Sequence, residues 1–187
     1  MDLDRSRRAI DAVHAADPRR GDGIAGEPAY ADHLEQWIRR LCGAPSPALL
    51  LAARAQHLER WAIPRSTFPE GRGGYLQWRS AVHRRQGDRV REVLAGAGCD
   101  ADVSARVAML VSKSAPRGDA DAQALEDAAC LVFIEHELAA FQRQHPRDKT
   151  IDVLRKTWRK MSPAGHEAAL ALSLPDELRA LIAAALE

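Results

Sequence analysis

The chain has 187 residues, 46% of them hydrophobic and 28% charged, with a formal net charge of +1 at pH 7. That balance suits one soluble domain with a sizeable core, and it excludes a global electrostatic pull toward nucleic acid or membrane. Cys42, Cys99 and Cys130 are odd in number and share no C-x-x-C spacing, which fits free thiols in a reducing cytosol better than a disulfide frame or a zinc knuckle.

Nearly every segment carries the 3.6-residue period, so helices are expected throughout. The first runs from about Asp4 to Ala16 and stops before Pro18. Residues 17–28 hold three Gly and two Pro and read as a mobile loop. A second helix covers about Ala29 to Cys42. Ser46-Pro47 then supplies an N-cap with Pro at the first helical position, predicting a third helix through Trp61. Pro64, Pro69 and Gly71 break the chain before a fourth helix, from near Gly74 past Gly87 to about Ala95. Asp100 or Asp102 caps a fifth, Val103 to Lys113. The most apolar helix spans about Ala122 to Gln144, and its apolar run from Ala128 to Ile134 is far too short to cross a bilayer. Thr150 to Met161 follows, Ser162-Pro163 starts a short helix to about Leu172, and a last helix spans about Pro175 to Leu186. The expected fold is all-α: one domain over 1–187, a bundle of about eight helices. The N-terminus has no apolar signal core, so a cytoplasmic protein with no membrane partner is expected.

The even net charge conceals segregation. Residues 54–91 hold nine Arg against Glu59, Glu70 and Asp88. Residues 100–140 hold eight acids against Arg106, Lys113 and Arg117, and residues 141–161 seven Lys/Arg against Asp148 and Asp152. Such segments either pack against one another or line an anion site with acidic groups beside it.

Three constellations could carry chemistry. Arg54, His57 and Trp61 extend the apolar stripe of the third helix, and a buried guanidinium requires an anionic partner. Asp127 and Glu135 lie eight residues apart on one face of the apolar helix, with Glu126 about 100° around from Asp127. Carboxylates there either pair with Arg54 or Arg79, coordinate a cation, or act as acid/base groups. Tyr75, Arg79 and His83 form a stripe on the fourth helix, with Arg65 in the loop before it. Lys149, Lys156 and Lys160 flank Trp158 on a basic helix that could meet RNA or phosphate. No P-loop, dinucleotide fingerprint, H-E-x-x-H or nucleophile elbow occurs.

The blocks A-R-A-Q-H-L-E-R-W-A-I-P-R, Y-L-Q-W-R, L-E-D-A-A-C-L-V-F-I-E and K-T-W-R-K-M-S resemble the family called domain of unknown function 4202, over residues about 6 to 175. At fold level, L-L-L-A-A-R-A-Q-H followed by a later Asp is similar to HD-domain metal-dependent phosphohydrolases. That similarity implies a divalent metal held by His57 and Asp127, with His33 or Glu135 beside them. Leu58 stands where the similarity would require the doublet Asp.

Two readings follow. In the first, the protein is a metal-dependent hydrolase of a phosphorylated small molecule or nucleotide. His57, Glu126, Asp127 and Glu135 would then be catalytic, and Arg54, Trp61, Arg65, Tyr75, Arg79 and Lys156 would bind substrate. In the second it is a non-catalytic RNA- or protein-binding module, with Arg54, His57, Asp127 and Glu135 in a buried structural network.

Overall fold

The third helix is buried among four others. In the computed structural model, which describes residues 2–18 and 27–187, the elements are α1 (Leu3–Ala15), α2 (Glu27–Leu41), α3 (Pro47–Arg54), α4 (Gly71–Gly96), α5 (Ala101–Val111), α6 (Ala120–Val132), α7 (Leu138–Gln144), α8 (Arg147–Trp158), α9 (Pro163–Leu170) and α10 (Asp176–Leu186). The described residues form an all-α fold without strands. The loop expected over 17–28 lies mostly outside them.

Every residue of α3 from Ala48 to Arg54 is buried. This short helix is therefore enclosed on all sides, touching α1, α2, α5 and α6. Each of its three leucines contributes roughly 1.5–3 kcal/mol by leaving water. Ser46 caps it, its hydroxyl accepting from the N–H of Leu49 at 3.1 Å, with Pro47 at the first position.

The helix does not reach Trp61 as its periodicity suggests. It ends at Arg54, and His57 (φ 62°) and Glu59 (φ 48°) take left-handed backbone conformations in the turns that follow. Residues Arg60–Ala62 then make a single 3-10 turn. A polar run with two left-handed residues cannot continue an α-helix. The stripe of Arg54, His57 and Trp61 therefore does not exist as a helical face.

α4 is the longest element and passes through Gly87 without a break. A Cβ at Gly87 would lie 2.8 Å from Cβ of Ser112, so the glycine permits close approach of α4 to the end of α5. The apolar helix expected over 122–144 is α6 and α7 joined by one π-helical turn, Phe133–Glu137. Ser162-Pro163 starts α9 as its sequence dictates, and α8 packs along α10.

A candidate anion-binding cleft

Basic and acidic side chains meet at Glu126. Lys113 Nζ lies 3.1 Å from Glu126 Oε2, and Lys160 Nζ lies 3.4 Å from Glu126 Oε1. Glu126 is thus held between one lysine from the turn after α5 and another from the turn after α8. Elsewhere Arg106 pairs with Asp119 and Asp121, and Arg85 and Arg89 both pair with Glu59.

Around Glu126 lies a cleft of about 240 Å³. Arg60, Arg79, Lys113 and Lys160 face it, together with His57, His83 and Gln86, while Tyr30, Tyr75 and Trp78 supply aromatic wall. Four permanent cations thus stand against a single carboxylate. Trp78 is fixed by donating its indole N–H to the carbonyl of Ile63 at 2.8 Å, with Arg60 over its ring at 5.2 Å. Tyr75 lies against Trp78, ring centroids 5.8 Å apart, and is itself exposed. His57 stacks on Tyr30 at 4.6 Å. Its left-handed backbone is the kind of local strain that collects at binding sites.

The electrostatics follow from this crowding. Burial, then the charges of Arg79, Lys113 and Arg60 and the neighbouring His57, push His83 down to about 4. The imidazole is therefore neutral at pH 7 and can accept a proton or a hydrogen bond. Burial works to raise the Glu126 carboxyl, but Lys113 and Lys160 outweigh it and hold its pKa below the ordinary carboxylate value. Gln86 is only 4% exposed, and its Nε2 has no hydrogen-bond partner among the described residues. A buried N–H donor left without an acceptor costs about 1–3 kcal/mol, so an acceptor arriving in the cleft would recover that.

The sequence-derived candidates divide. His57, Glu126, Tyr75 and Arg79 come together in the cleft, with His83 continuing the α4 stripe. Arg54, Trp61, Arg65, Asp127, Glu135 and Lys156 are not among its lining residues. The Arg54 guanidinium pairs with Asp11 and Asp32 rather than with Asp127 or Glu135, and the Arg54 carbonyl accepts from Nε2 of His14 at 2.9 Å. Arg65 donates to the carbonyls of Phe68 and Pro69 at 2.9 and 2.8 Å and braces its own loop. Glu135, on the π-helical turn, accepts from the Trp37 indole at 2.8 Å and lies 3.2 Å from His136. His136 in turn stacks on His33 at 3.7 Å. Lys156 is exposed on α8, and Trp158 stacks flat on His166.

Asp127 is 3% exposed, and its carboxylate is committed to the start of α9. It accepts from the N–H and hydroxyl of Ser162 at 2.8 and 2.5 Å and from Nε2 of Gln123 at 3.0 Å. Gly165 presses so close that a Cβ there would meet this carboxylate at 2.9 Å. A divalent cation needs carboxylate oxygens free to coordinate, and these are engaged by three donors. No group of three His, Cys, Asp or Glu side chains among the described residues is arranged to hold a metal ion. The donor set therefore does not fit the metal that the HD-like similarity implies.

Gln86, Arg60 and Lys113 are the residues that sequence reasoning passed over. For Gln86 a signal was available: positions 75, 79, 82, 83 and 86 follow one helical stripe, which the polar run from His83 to Gln86 disguises as a solvated face.

Fold and cleft together define an all-helical protein with a small, strongly cationic, aromatic-walled pocket. Residues 4–182 match the family model described as "Domain of unknown function (DUF4202)", and the chain belongs to that family. No curated protein and no solved structure matches it. No helix among the described residues is long and apolar enough to cross a membrane.

Proposed function

We propose that the cleft binds a phosphorylated small molecule, with a nucleotide as the best-fitting class, and that the protein hydrolyses its phosphoester. The observation that carries this reading is the excess of four cations over one carboxylate beside a buried, unpaired Gln86 donor. Arg60, Arg79, Lys113 and Lys160 would take the phosphate oxygens, with the guanidinium groups suited to bidentate contact. Tyr75 and Trp78 offer a face on which a base or other flat ring can stack, and Gln86 would donate to a ligand oxygen.

His83 suits the role of base. Burial and the charges of Arg79, Lys113 and Arg60 keep its proton affinity low. A bound phosphate dianion would offset Arg79, Lys113 and Arg60 and raise that affinity, so the base would strengthen once substrate is seated. Water would then attack phosphorus while His83 takes its proton. The phosphorus–oxygen ester bond would break, the leaving oxygen would take a proton from solvent and finish as an alcohol, and His83 would release its proton to solvent. The cations would stabilise the charge that develops on the phosphoryl oxygens.

Calorimetric titration with inorganic phosphate and 5′-mononucleotides, joined to phosphate-release assays on a panel of phosphomonoesters, tests this. Phosphate binding in the millimolar range or tighter is expected, weakened about tenfold or more by Arg79→Ala or Lys113→Ala. Absence of phosphate and nucleotide binding at low ionic strength would remove the reading. Binding without turnover of any ester would leave a binding protein and discard the hydrolase.

A further inference from the structure

Behind the cleft, between α4 and the turn after α5, runs a second and larger groove of about 550 Å³. His83 and Lys113 line both cavities, so the two share a wall. The groove's own charged side chains are Arg84 and Arg91 against Asp88, with Lys113 common to both, which leaves it cationic as well. Hydroxyls crowd the same place: Ser112 and Ser114 Oγ atoms lie 2.8 Å apart, and both reach the carbonyl of Met109. Two features of the chain bring the groove and cleft together. Gly87 lets α4 close on Ser112, and Lys113 adopts a left-handed conformation (φ 57°) as the chain leaves α5. A β-carbon at position 87 would close the first of these approaches. A non-glycine residue in the second conformation is costly unless its surroundings hold it there.

We propose that the α4–α5 groove is a second anion subsite of the same site, so that the ligand carries at least two phosphate groups, one on each side of the His83–Lys113 wall. This rests on the cleft being a phosphate site and extends it. One phosphate occupies the cleft with Arg60 and Arg79. The next crosses Lys113 and meets Arg84 and Arg91. A nucleoside with a phosphate chain fills both cavities, its ring on Tyr75 and Trp78, whereas a monophosphate fills one.

The test compares inorganic phosphate with methylenediphosphonate, a two-phosphorus analogue that cannot be hydrolysed, titrated into the full chain at fixed ionic strength. The diphosphonate is expected to bind about tenfold more tightly than phosphate, as one further charge-assisted contact supplies. Arg91→Ala and Arg84→Ala should each shrink that advantage while leaving phosphate affinity unchanged, and Arg91→Lys should restore part of it. Arg147→Ala, an exposed change of equal charge on α8, should do neither. Equal affinity for the two probes, or an advantage that survives both arginine substitutions, overturns the second subsite while the phosphate cleft stands. If phosphate itself does not bind, the cleft and the subsite fall together.

Discussion

Asp127 and Ser162 are joined twice, the carboxylate accepting from both the N–H and the hydroxyl of the serine that caps α9. The Ser162 hydroxyl in turn accepts from the N–H of Gly165 at 3.2 Å. One buried acid therefore organises the first turn of a helix that packs on α6. Asp127 is only 3% exposed, so these charge-assisted bonds are strong and costly to leave unmade.

Asp127→Ala should accordingly destabilise the fold by about 1–3 kcal/mol, because it strands two part-buried donors at Ser162. Denaturant unfolding at pH 7 gives the number. Phosphate affinity, measured where the variant remains folded, should be unaltered. A large loss of phosphate binding with intact stability would instead place Asp127 in the cleft's machinery.

Arg54 is a structural ion of the same kind. Its side chain is 9% exposed, whereas its partners Asp11 and Asp32 are 39% and 56% exposed. Removing the guanidinium leaves two carboxylates that water can reach, so the cost comes chiefly from lost packing and lost bridging of α1 and α2 to α3. Arg54→Ala should cost about 2–3 kcal/mol, nearer the middle of the usual range than its extreme. Asp32→Asn should cost under about 1 kcal/mol, since that partner is mostly solvated. Thermal unfolding of both variants checks the asymmetry.

These two residues show where sequence reading succeeds and where it stops. Local signals were sufficient for two helix starts: Ser46-Pro47 and Ser162-Pro163 mark those of α3 and α9 within one residue. The burial of α3 was legible from its unbroken apolar half, and the need of Arg54 for an anion from its position there. Which anion was not legible, because Asp11 and Asp32 are brought to it by packing of α1 and α2. The same holds on α6. Glu126 and Asp127 are adjacent, and a rotation of about 100° sends one into the cleft and the other to α9. Periodicity says that they diverge but cannot say which faces the cations. The turn at His57 was hidden for another reason: A-R-A-Q-H-L-E-R-W has good helical spacing throughout, and the left-handed residues are imposed by what surrounds them.

Glu126 makes a sharper test of the cleft than any of its cations. It pairs with both Lys113 and Lys160, so it competes with an incoming phosphate. Glu126→Gln should tighten inorganic phosphate binding by about three- to tenfold at low salt, with the gain shrinking as ionic strength rises. Lys113→Ala in the same assay should weaken it. If Glu126 also shuttles a proton during turnover, the Gln variant will bind better and hydrolyse about a hundredfold more slowly, a split that calorimetry and a phosphate-release assay read separately.

The imidazole at position 83 ties binding to pH with a definite sign. In the folded protein it titrates near 4, against an ordinary 6.5. Between those values the unfolded chain holds a proton on His83 that the folded, ligand-free protein does not, so this group makes stability fall as pH drops from about 6.5 to about 4. Anion binding runs the other way. A dianion in the cleft offsets Arg79, Lys113 and Arg60 and favours the protonated ring, so affinity should rise as pH falls through the same window and be accompanied by proton uptake. Sulfate is the probe of choice, because its charge stays constant across that range. His83→Gln should flatten both trends: the stability profile should lose part of its slope, and sulfate affinity should become nearly independent of pH. Titrations in two buffers of different ionisation enthalpy measure the protons taken up. Equal uptake in the wild-type and Gln proteins would show that another group carries the linkage, and His83 would lose its role as base.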